Sequence, residues 1–126
     1  HLGGLSSSGL GATDIGNKRA IGGIAREFYR RVRSHYDDRA AWTWESREEF
    51  KGHGHPAGED AAWTFEPHVA EKIFLDLVAR ERIDVVFGER LELGRVVPLR
   101  DRRITSIEME AATRPNTSSA SASIRT

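Results

Sequence analysis

Cysteine is absent from the 126-residue chain, which removes disulfides, thiolate zinc sites, iron–sulfur ligation and cysteine nucleophiles together and leaves the redox compartment open. Net charge is absent as well. The 19 Lys plus Arg are matched by 19 Asp plus Glu, so no bulk field draws the chain to nucleic acid or to an anionic membrane, and neither is expected as a partner. No uninterrupted apolar run approaches the roughly 20 residues of a membrane helix, and no basic-then-apolar signal opens the chain. The single methionine is Met109, so His1 is not a translation start as written, and the chain is either processed or, as is expected here, a fragment of something longer. What is present, 38% hydrophobic and 30% charged residues, is ordinary for one soluble domain with a modest core.

Residues 1–23 hold seven of the 12 glycines, interleaved with Ser6, Ser7, Ser8, Thr13 and Asp14. Glycine lets backbone N–H groups approach a ligand and adopt positive φ, so this stretch reads as a phosphate or cofactor cradle or as a flexible leader. The even spacing of Leu2, Leu5, Leu10 and Ile15 favours an ordered loop over residues 1–16. Asn17 is a suitable N-cap, and Ile21, Ile24, Ala25, Phe28 and Val32 recur at helical spacing, which predicts a helix over about 17–36. Arg26, Arg30, Arg31 and Arg33 fill its other faces and read as solvated surface. Residues 37–65 read as a long loop between elements, with Trp42, Trp44, Phe50 and Trp63 scattered among charges and a glycine-rich run at 52–58. A second helix over about 66–82 opens on Pro67 and carries Val69, Ala70, Ile73, Phe74, Leu77 and Val78 on one face. Ile83–Phe87 is short, β-branched and ended by Gly88, the pattern of a strand. Leu91–Leu99 and Arg103–Glu110 read as two further strands joined by the charged turn Arg100-Asp101-Arg102. This order predicts an α/β or α+β layer with helices covering a sheet. Residues 111–126, rich in Ala, Ser and Thr, bury too little apolar area to offset their ordering entropy and read as a disordered tail.

His53-Gly54-His55, with Glu59 and Asp60 close behind, offers ligand types that zinc accepts. The pair lacks a defined third ligand, and the flanking glycines and Pro56 account for the run as a turn, so no metal site is expected. His68, in the first turn of the second helix, is placed to act as a general acid or base, or simply to stand exposed beside a hydrophobic staple made by Phe65. No Ser-His-Asp set is assignable, and the chain has neither a G-x-x-x-x-G-K-[ST] loop nor a G-x-G-x-x-G fingerprint.

Two longer blocks are more specific. His1-Leu2-Gly3-Gly4-Leu5, Ser8-Gly9-Leu10-Gly11-Ala12-Thr13-Asp14 and Ile21-Gly22-Gly23-Ile24-Ala25-Arg26-Glu27-Phe28 form the first, and Trp63-Thr64-Phe65-Glu66-Pro67-His68-Val69-Ala70-Glu71 the second. Over roughly residues 1–110 they resemble a bacterial family of FAD-dependent oxidoreductases with the glutathione-reductase-like dinucleotide fold, some of whose relatives carry a xanthan-lyase-type name. The resemblance implies an α/β chain that is an incomplete piece of an FAD/NAD(P)-binding Rossmann-like domain, followed by the 111–126 tail. It implies FAD as cofactor, with Gly3, Gly4, Ser8, Gly9 and Gly11 in a flavin-proximal loop, and a small-molecule substrate that the residues do not identify. The hairpin near Leu91–Glu110 is similar to that family's β-meander between the two halves of the cofactor domain. In the family a strand, the G-x-G-x-x-G turn, a helix and a strand ending in an acidic residue precede this segment, and this chain contains none of them. FAD binding and activity by the chain alone are therefore expected to be weak or nil. Two other classes compete: a non-catalytic interaction module whose Trp-rich loop, Trp42 to Trp63, binds a partner or a sugar, and a metal-dependent hydrolase or lyase using His53 and His55.

Overall fold

The computed structural model describes residues 1–13, 16–94 and 97–111. They form two compact units, His1–Asp84 and Val85–Thr126, the second described as far as Ala111.

In the first unit the opening helix starts later than its apolar spacing suggests. Asn17 is indeed a cap, but its side chain accepts from Arg19 N above a 3₁₀ turn at Lys18–Ala20. Ile21 and Gly22 then run extended, and Gly23 takes φ +56°, a left-handed backbone through which a helix begun at Asn17 does not continue. Helix α1 accordingly spans Gly23–Asp37. Its buried face is also rotated from the expected one: Phe28, Tyr29, Val32 and Tyr36 are buried, while Ile24 is 77% exposed. The aromatic rings win the inward positions because each removes more apolar area from water than Ile24 or Ala25.

Helix α2 spans Pro67–Arg80, with Pro67 in its first turn and Val69, Ala70 and Ile73 buried. Phe74 and Leu77 extend that face against the core. The two helices meet through a ring cluster in which Phe28 stacks on Phe74 at 5.0 Å between centroids and meets Phe65 edge-on at 5.3 Å.

Residues 37–65 form the expected long loop, but one whose end is packed into the core. Beyond a 3₁₀ turn at Arg39–Ala41 they have little regular structure, yet Ala61, Ala62, Trp63 and Phe65 belong to the core. Their backbone is tied to the neighbouring elements, Ala62 N donating to Tyr29 O at 3.1 Å and Phe65 N to Gly11 O at 2.8 Å. The arginines of α1 are not merely solvated. Arg26 and Arg30 both bind Asp60, Arg26 also lies over the Trp63 ring, and Arg33 bridges Asp37 and Pro56 O.

Glu27 of α1 receives Arg80 of α2 at 2.6 Å and Arg31 at 2.9 Å. The Arg80 hydrogen bond first, then that of Arg31, holds its carboxyl at about 2 against an ordinary 4.5. A carboxylate whose folded pKa lies below its unfolded value contributes stability that is complete above the unfolded value and is lost as the pH falls through the folded one. Denaturant midpoints are therefore expected to fall between pH 4.5 and about 2. Asp60, held below its usual range by Arg26 and then Arg30, adds to the same acid limb. In Glu27→Gln the limb flattens, and an unaltered slope would show that the clasp contributes nothing.

Ile83–Phe87, which runs from the end of the first unit into the second, does not form the expected strand; Ile83, Val86 and Phe87 are exposed. A β-branched run becomes a strand only with a partner for its backbone. What forms is an antiparallel arm. Strand β1 (Glu89–Leu91) pairs with β4 (Met109–Ala111), and β2 (Leu99–Arg100) with β3 (Arg103–Ile104). The register sets Arg90 opposite Glu110 and Leu99 opposite Ile104, and an ion pair joins Arg90 to Glu110. The turn falls at Asp101 and Arg102, both at positive φ, 49° and 64°, as a two-residue type I′ connection requires. The strands are shorter than their sequence pattern suggests, and Ala111, read as the first tail residue, instead closes β4 against Glu89. The rest of that tail, 112–126, lies outside the described residues, as do Asp14 and Ile15 of the glycine-rich loop.

Candidate functional site

The glycine-rich loop is a turned and docked structure. A 3₁₀ turn occupies Gly4–Ser7; Ser6 N donates to Gly3 O at 3.1 Å, and Leu5 O accepts from Ser8 N at 3.2 Å and Leu10 N at 3.0 Å. Ser7, a residue without a distinctive sequence signal, is buried and donates its hydroxyl to Gly4 O. The 3₁₀ turn packs against α2. The loop's far end is fastened by the Gly11–Phe65 hydrogen bond, by a bridge between Ala12 and Thr64, and by Thr13 Oγ1 against the Tyr29 hydroxyl of α1. Of its leucines, Leu5 is 75% and Leu10 49% exposed, while Leu2 is half-buried.

The five candidate residues divide by what surrounds them. Gly3 (φ +101°) and Gly11 are glycines for packing: a Cβ on Gly3 would lie 2.5 Å from the Phe74 ring, and one on Gly11 2.5 Å from the Phe65 carbonyl oxygen. Gly4 and Gly9 are at φ +53° and +132° with nothing within 4 Å of a built Cβ, and Ser8 beside them is exposed. Gly4, Ser8 and Gly9 are therefore each open at the side-chain position. Gly11→Ala is expected to cost about 1–3 kcal/mol, since backbone rather than a flexible side chain blocks the new methyl, measured as a lower denaturation midpoint; a midpoint equal to that of the parent would mean the loop shifts freely.

Phe65 also borders an aromatic cluster, which gathers Trp42, Trp44 and Phe50 of the Trp-rich loop with Tyr36 and His55, two residues to which the sequence pattern gives no such role. His55 donates from Nε2 to Thr64 O at 2.9 Å, which leaves Nδ1 as the acceptor of the neutral ring. Around it stand Tyr36 at 4.9 Å, Phe50 at 5.4 Å and Trp42 at 5.9 Å, and burial pushes its pKa below the usual value. Tyr36 donates its hydroxyl to Glu66 Oε2 at 3.2 Å and accepts from Glu66 N at 2.9 Å. Burial foremost drives that hydroxyl up to about 12, so it stays protonated. Next to these groups is a cavity of about 270 Å³ that reaches Gly11 at one side and Trp44 at the other.

His53 and His55 are engaged differently. His53 is exposed, and only its carbonyl is bonded, accepting from Thr64 Oγ1. Among the described residues no group of three or more His, Asp or Glu side chains is arranged to hold a metal. His68 is exposed at the start of α2. The tryptophans divide. Trp63 is 3% exposed and donates to Glu59, whereas Trp42, which donates to Tyr36 O, and Trp44, 92% exposed, both border the cavity.

The family model for FAD dependent oxidoreductases matches residues 1–124, and the chain belongs to that family. No curated protein and no solved structure gives a significant match. Among the described residues no helix is long and apolar enough to cross a membrane.

Proposed function

We propose that this chain supplies the flavin-proximal loop of an FAD-dependent oxidoreductase of glutathione-reductase-like organisation, a loop formed by Gly3, Gly4, Ser8, Gly9 and Gly11. The observation that carries the reading is the pair of left-handed glycines, Gly4 and Gly9, that flank a tight turn and leave open space where side chains would stand. Backbone of this kind approaches a planar or anionic group closely without a Cβ in the way. Gly4, Ser8 and Gly9 would face the cofactor, while Gly3 and Gly11 let the loop lie flat on Phe74 and Phe65. Bound FAD supplies the redox chemistry, which belongs to the isoalloxazine itself. The loop's part is to hold and orient, and the docking of its ends on α1 and α2 keeps it from collapsing when ligand is absent.

The chain contains no G-x-G-x-x-G turn, the element that places a pyrophosphate on a helix N-terminus, and no carboxylate here is assigned to a ribose. The chain alone is thus expected to carry no yellow flavin and to show no measurable FAD affinity at micromolar concentrations. The test compares it with a version extended at its N-terminus by the strand, glycine turn and helix of a family member. Absorbance at about 450 nm, the flavin band, should remain with the extended chain after gel filtration and not with the short one. Flavin retained by neither chain would overturn the assignment, and flavin retained by the short chain would show that the glycine turn is dispensable.

A further inference from the structure

We propose that the aromatic cavity beside His55 binds a small organic cation of the alkylammonium class. Its described lining brings together the aromatic residues Tyr36, Trp42, Trp44 and Phe50 and the acidic residues Glu45 and Glu66, with neither lysine nor arginine. Aromatic faces present negative potential to a cation within about 6 Å of the ring, and two carboxylates reinforce the same sign. The polar groups are biased toward acceptance. Tyr36 spends its hydroxyl proton on Glu66, Trp42 spends its indole N–H on Tyr36 O, and His55 spends its Nε2 proton on Thr64 O. A ligand that needs donors from the protein, such as a carboxylate or phosphate, finds few; a ligand that brings positive charge or its own N–H groups finds several acceptors. Arg33 and Arg47 approach His55 from outside the lining, and both are committed to Asp37, at 3.0 and 3.1 Å. A volume of about 270 Å³, at the small end of ligand pockets, suits a compact cation. The inference does not rest on the flavin reading: it uses the aromatic and acidic lining, and Gly11 is the one residue of the flavin-proximal loop that borders the cavity.

The probe is choline chloride, titrated into the intact chain while tryptophan fluorescence is followed, with sodium chloride at equal ionic strength as the reference. A saturable change is expected with choline alone, and 3,3-dimethylbutan-1-ol, the uncharged analogue of the same shape, should bind at least about tenfold more weakly. Trp44→Ala and Glu45→Gln replace exposed residues, so both variants should fold, as circular dichroism will confirm, and each should weaken choline several-fold. Equal binding of the alcohol would make the cavity a merely apolar cleft and overturn the proposal. Saturation by methyl glucoside without saturation by choline would assign it to sugars instead. Choline affinity unchanged in both variants, or no saturable change at all, would also overturn it.

Discussion

Phe28→Ala is expected to abolish cooperative unfolding of residues 1–84. Phe28 is the ring through which α1 reaches its neighbours: it stacks on Phe74 at 5.0 Å and stands edge-on to Tyr29 at 5.2 Å and Phe65 at 5.3 Å. Removing a buried phenylalanine costs about 3–5 kcal/mol through lost transfer energy and the cavity left behind. Domains of this size have total stabilities of about 5–15 kcal/mol, and the smallest cores sit at the lower end. Tyr29, Phe65 and Phe74 all lean on this one ring, so without it they have little against which to re-pack. The measurement is a thermal melt followed by near-ultraviolet circular dichroism, where the sigmoidal transition of the parent should give way to a gradual drift. Trp44→Ala, changing an exposed ring, should shift stability by no more than about 0.5 kcal/mol. A normal melt for Phe28→Ala would mean that the helices are held together by their ion pairs instead.

Elements set by local rules were legible in the sequence, and those that need a partner were not. Helix α2 was legible because a proline start and a continuous apolar stripe are local facts, and Val69, Ala70 and Ile73 are buried where that stripe places them. The turn at Asp101–Arg102 was legible for the same reason. The start of α1 was not, because the apolar spacing of Ile21 and Ile24 continues smoothly across Gly22-Gly23, where the backbone breaks; the paired glycines were the signal. Ile83–Phe87 has the composition of a strand, but pairing is a property of two segments, and composition describes one. The glycine-rich loop was recognisable by its composition, and its division into packed and open glycines was not, since only three-dimensional neighbours distinguish Gly11 against a carbonyl from Gly9 facing open space. The aromatic cavity was the least legible feature. Its walls come from α1, from the segment after it and from the approach to α2, and polar residues separate them in the chain. Trp42, Trp44 and Phe50 stood out in the sequence as aromatics among charges, but that they gather with Tyr36 about His55 depends on contacts between distant segments.

In the chain extended by a dinucleotide fingerprint, Gly4→Val and Gly9→Val are each expected to bring flavin content down to background, while His53→Ala retains it. Valine at φ +53° or +132° is a β-branched residue in a backbone region that it scarcely visits, a strain of roughly 1–3 kcal/mol. The loop would relieve that strain by leaving the left-handed conformation, which redirects its backbone. Even without such a change the added methyl groups would occupy the open space that a ligand needs. Strain alone predicts lower stability with flavin still bound; loss of approach predicts a folded protein without colour. The two are distinguished by measuring flavin per polypeptide and melting temperature on the same samples. Gly11→Ala provides the internal standard, because its obstruction is the Phe65 carbonyl and not a ligand, so any flavin it loses should track its lost stability. The assignment of the loop to the cofactor stands on Gly4 and Gly9 losing flavin out of proportion to stability. If both variants melt early yet come off the column yellow, these glycines serve only a surface turn, and the flavin-facing segment lies elsewhere in the chain.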